Sequence, residues 1–212
     1  MDINIAHIFI AFSVLVFSLT VHESAHAWAA DRLGDPTARM LGRVSLNPAV
    51  HVDPIGTILF PLAGMISGAP LIGWAKPVPV AVWRFERGRR DYLMVAAAGP
   101  LSNLALAFVA AVALRLLPPI LTGPPQAGAL VPLARVAWEA LQINLLLAIF
   151  NLLPIPPLDG SSVLAGVLPE SAASTLDRVR PYGFVLLYAL MLSGGFSLVV
   201  GPPYRYLLSW LL

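Results

Sequence analysis

The 212-residue sequence contains no cysteine, and only 11% of its residues are charged. The lack of cysteine excludes disulfide bonds and thiolate metal ligands, so a transition-metal site in this chain would need His, Asp or Glu. The share of charged residues is less than half of the roughly 25% that is usual for soluble domains. The net charge of +2, from 13 basic and 11 acidic residues, gives no basis for a nucleic-acid partner.

Apolar residues, in contrast, are abundant. They make up 58% of the chain, and the mean hydropathy is +0.80. A soluble protein of this size must cover its surface with polar groups, so this much apolar area cannot be hidden in one core. We therefore predict an integral membrane protein in contact with a lipid bilayer. The chain has no tandem repeats, and residues 1–212 are predicted to form a single transmembrane domain.

The apolar segments predict an all-α polytopic membrane protein with about five to six transmembrane or half-spanning helices. The first segment could be read as a signal peptide, but it is long and has no basic residue before it, which favours a retained helix. The segment from Pro54 would reach only roughly 20 Å as a helix, which suits a re-entrant one. The predicted helical segments are residues 3–30, 54–66, 92–117, 133–153, 161–168 and 181–200.

Two proline-rich stretches interrupt this pattern. Residues 68–83 contain Pro70, Pro77 and Pro79 among Gly and Val, which predicts a small extended or β-hairpin re-entrant segment. Residues 154–160 cannot form a regular helix, because three of the first four are proline.

Arginine placement predicts the orientation in the membrane. Arginines cluster in residues 32–43 and 84–90, whereas the loop 118–132 has no charge. The two clusters should face the cytoplasm and the uncharged loop should face the outside. The N-terminus would then lie outside, and the first helix would reach the cytoplasmic side near Arg32.

The first predicted helix carries the pattern His22-Glu23-Ser24-Ala25-His26. On a helix, residues four apart share one face, so both imidazoles could bind one Zn²⁺. Glu23 is the next residue after His22 on the helix, so it could act on water beside the metal without being a ligand. The alternative is that these side chains only form hydrogen bonds between helices, but ionisable groups within a bilayer are costly and usually functional.

A tetrahedral zinc site needs a third protein ligand and an open position for water. His7 is too far from His22 along the same helix, and Glu139 is predicted to lie towards the outside. Asp159 is preferred, because it follows a span that ends on the cytoplasmic side and lies in a proline-broken stretch. His51 and Asp53, on either side of Val52 before the short apolar segment, stay open as alternatives.

These motifs resemble the site-2 protease family of intramembrane zinc metalloproteases, in its compact branch. The pattern at residues 22–26 and the later Asn151-Leu152-Leu153-Pro154-Ile155-Pro156-Pro157-Leu158-Asp159-Gly160 are similar to the two signatures of that family. The resemblance extends to residues 41–48, 51–57, 73–80 and 98–103. The sequence shows no PDZ-like insertion between the signatures, no C-terminal nucleotide-sensing domain and no span before the first helix, features that other members have.

The resemblance implies one Zn²⁺ per chain, held by His22, His26 and Asp159, with Glu23 as catalytic acid and base. It implies regulated intramembrane proteolysis of single-span membrane-protein substrates in a prokaryotic cell membrane, with the active site towards the cytoplasm. It is compatible with a homo-oligomer. Asn151, at the start of the second signature, is a candidate substrate-binding residue, although an Asn that closes the end of a span is an equal alternative.

Two more hypotheses concern substrate and packing. An unwound substrate could pair with the extended segment 68–82 as an added β-strand. Asn103 could assist at the reaction centre, but hydrogen bonding between helices, beside the small residues that let them approach, is favoured.

Two other functions use the same residues. A metal transporter or sensor could bind its ion through these His and Asp side chains, but it would not need a carboxylate at Glu23 that is not a ligand. A catalytically inactive scaffold would contain no Zn²⁺.

Overall fold

The computed structural model of the chain describes residues 5–68, 73–116 and 130–212. Within these ranges the chain is helical and contains no strand. Pro54–Leu59 forms a π-helical turn, and Pro48–Val50, Val82–Arg84 and Arg180–Tyr182 form 3₁₀ turns. The α-helices are α1 (Ile5–Arg32), α2 (Thr37–Met40), α3 (Phe60–Ser67), α4 (Arg89–Leu116), α5 (Leu130–Asn151), α6 (Asp159–Val167), α7 (Glu170–Val179), α8 (Gly183–Leu192) and α9 (Gly195–Leu211).

Three helices, α1, α4 and α5, are long and apolar enough to cross a membrane. A fourth span results only if the bent unit Glu170–Leu192 with Gly195–Leu211 is counted as one. The all-helical class and the membrane-spanning helices agree with the sequence-based expectation, whereas the predicted count of five to six is not confirmed.

The core of the fold is the contact between α1, α4 and α5. Small residues of α4 (Ala107, Ala110 and Ala111) face Leu141 and Leu145 of α5 and are buried. Close approach of helix backbones at small side chains is the main source of packing energy in lipid, where the hydrophobic effect does not drive helices together. Large apolar side chains on the outer faces stay exposed, as expected for a lipid-facing surface; examples are Phe17, Leu101 and Phe108.

The span predicted over residues 181–200 is not one continuous helix. α8 ends at Leu192 and α9 begins at Gly195, and the helical axes on the two sides of this break differ by 80°. Gly194 has φ +75°, a left-handed conformation that glycine adopts without steric cost and that ends a helix. Hydropathy does not detect such a break, because the residues around Gly194 carry no charge.

The short apolar segment is helical as predicted, over Pro54–Ser67, and ends at Gly68 in the left-handed conformation. The β-hairpin predicted beside it is not confirmed. Residues 69–72 lie outside the described ranges, and residues 73–81 are extended without a strand partner among the described residues. The amides of Trp74 and Lys76 donate instead to the carbonyls of Gly56 (3.0 Å) and His51 (2.8 Å).

A buried carboxylate ties the far end of this extended segment to the end of α1. Asp35 is fully buried and accepts hydrogen bonds from the amide and hydroxyl of Thr37 and from the amide of Ala81. Burial by itself would raise the pKa of Asp35, but these hydrogen bonds and Arg84 outweigh it and lower the pKa below its ordinary value. Asp35 therefore holds the extended segment in place as an anion.

Asp35→Asn is expected to reduce stability by about 1–3 kcal/mol at neutral pH, because an amide NH₂ would face a buried donor. Since the native pKa is lowered, the contribution of the carboxylate is complete above the ordinary value of about 3.9 and is lost as the pH falls further. The difference in melting temperature between wild type and variant in detergent should therefore narrow from pH 6 to pH 3. A difference that does not change with pH would contradict this account.

Candidate metal centre

Three potential metal ligands converge between α1 and the start of α6. The Nε2 atoms of His22 and His26 are 3.0 Å apart, and they lie 3.1 and 3.3 Å from Oδ2 of Asp159. The two imidazole planes are nearly perpendicular, at 84°. The two histidines are four positions apart on α1, so one helix face presents both, while Asp159 comes from a segment more than 130 residues later.

The second nitrogen of each imidazole is held by α4. His22 Nδ1 donates to Oδ1 of Asn103 (2.6 Å), and His26 Nδ1 donates to the carbonyl of Val95 (2.7 Å). A hydrogen bond of this kind keeps the proton on Nδ1 and leaves the Nε2 lone pair for a metal. Both rings are thus oriented as metal ligands usually are.

The proline-rich turn after α5 places Asp159 at the first residue of α6. Residues 152–158 are not helical, which agrees with the prediction for residues 154–158. Asp159 and Gly160, which were predicted to lie outside a helix, form the start of α6 instead. A Cβ on Gly160 would overlap with the carbonyl groups of Leu152 and Leu153. Only glycine therefore lets the start of α6 pack against the end of α5 and bring the Asp159 carboxylate to the histidines.

The space beside the ligands is kept open by Gly99 of α4. A Cβ at this position would lie 2.6 Å from Nε2 of His22 and still closer to Nε2 of His26. Oδ2 of Asp159 is buried, and no residue of the described ranges donates a hydrogen bond to it.

The donor set fits a zinc ion. Two imidazole nitrogens and one carboxylate oxygen form a triangle with sides of 3.0–3.3 Å, close to the roughly 3.3 Å edge of a tetrahedron with zinc–ligand bonds of about 2.0 Å. Three protein ligands leave the fourth position of a tetrahedral site open, as in catalytic zinc sites.

Glu23 lies beside this triangle and is oriented by the extended segment. Its Oε2 accepts a hydrogen bond from the amide of Val78 (3.2 Å). The extended segment is fixed in turn by Arg43, whose buried guanidinium donates to the carbonyls of Val50, Lys76 and Pro77. The residue next to the first ligand is thus held by a segment 55 residues away.

The other candidate ligands have different partners. His7 Nδ1 lies 3.1 Å from Oε1 of Glu139, so these two residues face each other between α1 and α5. Asp53 caps the π-helical turn through the amides of Ile55 and Gly56.

His51 is buried in the loop before this turn, and its Nε2 donates to the carbonyl of Ser45 (2.8 Å). Burial lowers the pKa of His51, which favours the neutral ring. Among the described residues, His22, His26 and Asp159 form the group that could hold a metal.

Asn151 closes the end of α5, where its side-chain NH₂ donates to the carbonyl of Leu147 (3.0 Å). This contact matches the helix-closing alternative, and the substrate-binding role of Asn151 stays a prediction. Asn103 forms the favoured bonds between helices, to His22 of α1 and Asn144 of α5.

Sequence reasoning did not assign the roles of Gly99, Asn144 and Val78. Gly99 could have been suspected, because a glycine inside a long helix usually marks close approach of another group. Asn144 and Val78 act through a side-chain network and a main-chain amide, which residue patterns do not reveal.

Comparison with known proteins shows relatives over most of the chain. The profile described as peptidase family M50 matches residues 126–193. The chain is 37% identical over 196 residues to a Bacillus subtilis protein named "Putative zinc metalloprotease YwhC", covering 89% of this chain and 82% of that protein. No solved structure matches the chain.

Proteins named in the same way occur in other organisms. Rip2 of Mycobacterium tuberculosis is 32% identical over 83% of this chain, which spans 64% of the length of Rip2. MJ0611 of Methanocaldococcus jannaschii is 34% identical, with 72% of each chain covered.

Proposed function

The chain belongs to peptidase family M50, the site-2 protease family of zinc metalloproteases, and on this basis we propose that it is a zinc-dependent endopeptidase that cleaves membrane-spanning substrates. The observation that carries the proposal is the group of His22, His26 and Asp159. The two histidines and Glu23 lie on α1, which is long enough to span the bilayer, and Asp159 comes from the start of α6. In this proposal His22, His26 and Asp159 hold one Zn²⁺.

When bound, zinc supplies Lewis-acid activation of water and of the scissile carbonyl. The carboxylate of Glu23 accepts a proton from the attacking water. It then delivers this proton to the leaving amine. The Val78 amide, which donates to Oε2, fixes the carboxylate while the proton is transferred. Asn151 is proposed to contact the substrate backbone beside Asp159.

An apolar groove supports a substrate that arrives from lipid. The groove has a volume of about 180 Å³ and lies between α1, α3, α5 and α8, where Leu19, Met65, Leu147 and Leu187 line it. Its wall includes Leu158, the residue directly before Asp159. A cavity of this size holds an apolar side chain rather than a helix, so one side chain of an apolar substrate segment could lie in it next to the proposed zinc ligands.

The extended segment 73–81 is the proposed binding edge for an unwound substrate, with one restriction. The amides of Trp74, Lys76 and Val78 already donate to the protein itself. On the alternate side, Pro77 and Pro79 have no amide hydrogen. The carbonyls of Trp74, Lys76 and Pro77 also accept already, from Thr57 and Arg43. A substrate strand at this edge would therefore depend mainly on the carbonyls of Ala75 and Pro79.

The test is co-expression with a panel of tagged single-span proteins, followed by mass spectrometry of the product termini. We expect cleavage within or next to the transmembrane segment with wild type and none with Asp159→Ala. Folding of the variant is checked by its melting temperature in detergent. Cleavage that persists in Asp159→Ala, or cuts only in soluble loops far from the membrane, would contradict the proposal.

We propose that the site lies towards the cytoplasm, because the arginines of residues 32–43 begin six residues after His26 and those of residues 84–90 directly precede the part of α4 that contacts the histidines. Protease accessibility of tags inserted at the two arginine-rich segments, measured on oriented membranes, checks this orientation.

A further inference from the structure

A chain of buried amide side chains runs from the candidate metal centre into the helix core. Asn103 of α4 and Asn144 of α5 are fully buried, and Ser18 of α1 lies beside them. Asn103 Nδ2 donates to Oδ1 of Asn144 (2.8 Å), and Asn144 Nδ2 donates to Ser18 Oγ (2.9 Å). This series of hydrogen-bonded side chains thus joins the three core helices and ends at His22.

The direction of each hydrogen bond in this series is fixed by the end that lies far from His22, at Asn144. Asn144 Nδ2 also donates to the main-chain carbonyl of Ala140 (2.8 Å), and a carbonyl oxygen can only accept. The Oδ1 atom of Asn144 must therefore face Asn103, so Asn103 presents its NH₂ to Asn144. The remaining Oδ1 atom of Asn103 then faces His22 Nδ1, where it can only accept.

We propose that Asn103 and Asn144 act as a pair of positioning residues, which lock the His22 imidazole with its proton on Nδ1 and its Nε2 lone pair directed at the metal. Asn103 supplies the acceptor, and Asn144 keeps the Asn103 amide from flipping through a 2.8 Å hydrogen bond, which is shorter than the 3.4 Å contact of Asn103 Nδ2 with the Ser18 carbonyl. A flipped amide would place two donors against each other and favour the imidazole form whose Nε2 carries the proton. The inference rests on the metal site proposed above.

The pairing has a consequence that a general packing role lacks. Asp at position 103 has two equivalent oxygen acceptors, so its orientation needs no control by Asn144. Its second oxygen would face the Asn144 Oδ1 atom, which is also an acceptor, so Asn144 no longer helps at this position. Loss of Asn144 should therefore weaken metal binding when residue 103 is Asn, and should not weaken it when residue 103 is Asp.

The experiment measures the dissociation constant of Co²⁺ by chelator competition, together with its visible absorption spectrum, on detergent-purified protein. Asn144→Leu and Asn103→Leu should weaken Co²⁺ binding by about 10–100-fold and alter the absorption bands, since loss of such partners has effects of this size. Asn103→Asp keeps the acceptor for His22 but places an oxygen against Asn144 Oδ1, so it should bind more weakly than wild type and more tightly than Asn103→Leu. The double variant Asn103→Asp/Asn144→Leu should bind Co²⁺ at least as tightly as Asn103→Asp.

Ser102→Ala serves as the matched control, because Ser102 is the neighbouring polar residue on α4 and, within the part of the chain that the structure describes, donates to the carbonyl of Gly99 on its own helix (2.7 Å). It should bind Co²⁺ as wild type does. Melting temperatures identify variants that fail to fold. If Asn103→Leu does not fold, the positioning role is tested by the effect of Asn144→Leu on Co²⁺ affinity in the wild-type protein and in Asn103→Asp.

Wild-type affinity in Asn144→Leu, or an equal loss in both backgrounds, would overturn the positioning role. No Co²⁺ binding by the wild type would instead overturn the proposed metal site itself.

Discussion

Replacement of Gly99 by alanine is expected to abolish zinc binding and to reduce cleavage by at least about 100-fold. The added methyl group would lie 2.6 Å from His22 Nε2 and closer still to His26 Nε2, well inside van der Waals contact. Both imidazoles would have to move from their present positions, and misplacement of a reacting group by about 1 Å can cost 10²-fold in rate. The measurements are zinc content by elemental analysis and the cleavage rate of a tagged substrate.

The same substitution elsewhere provides the control. Gly201→Ala in α9 would place a Cβ 3.4 Å from the guanidinium of Arg205, a contact that a flexible side chain can relieve. Gly201→Ala should keep zinc and activity. A melting temperature of Gly99→Ala close to that of Gly201→Ala and wild type would show that Gly99→Ala is also folded. Full zinc content in a folded Gly99→Ala protein would mean that this glycine does not shape the site.

Glu23→Gln is expected to lose cleavage by about 10²–10⁴-fold while zinc content stays unchanged, because proton transfer by a positioned side chain contributes this much. Gln is close in size to Glu and its amide oxygen can still accept from Val78 N–H, so the substitution removes the basic carboxylate with little change in shape. Zinc stoichiometry and cleavage rate are measured on the same preparations.

Glu86→Gln provides the matched control at an exposed carboxylate before α4 and should behave as wild type. The comparison also separates the two functional classes. A metal transporter or sensor would keep its ion and its activity in Glu23→Gln, because the residue is not a ligand. Retained zinc with retained cleavage would exclude Glu23 as acid and base.

The sequence alone was sufficient for the main features of the fold and for the choice of candidate ligands. The apolar share and the scarcity of charge require lipid, since no single core could bury so much surface. The spacing of His22 and His26 places them on one face of a helix whatever surrounds it. The proline run before Asp159 excludes helix by simple sterics, and the turn is found where it was predicted.

Composition does not reveal the break at Gly194. It also does not reveal that residues 73–81 have no strand partner among the described residues. A hydropathy pattern averages over many residues, whereas one left-handed glycine redirects a helix by 80°. The extended segment finds its hydrogen-bond partners in Gly56, His51 and Glu23, which are distant in sequence. Such partners are chosen by the packing of loops.

Local sequence thus determined which residues can bind a metal, because ligand chemistry and helical spacing are properties of short segments. Only the tertiary structure decided that Asp159 meets the two histidines, that Gly99 leaves room beside them, and that Asn103 and Val78 orient His22 and Glu23. The physical reason is that these contacts join segments 55 to 137 residues apart (Glu23 to Val78, His22 to Asp159). Their geometry depends on how closely α1, α4 and α6 pack.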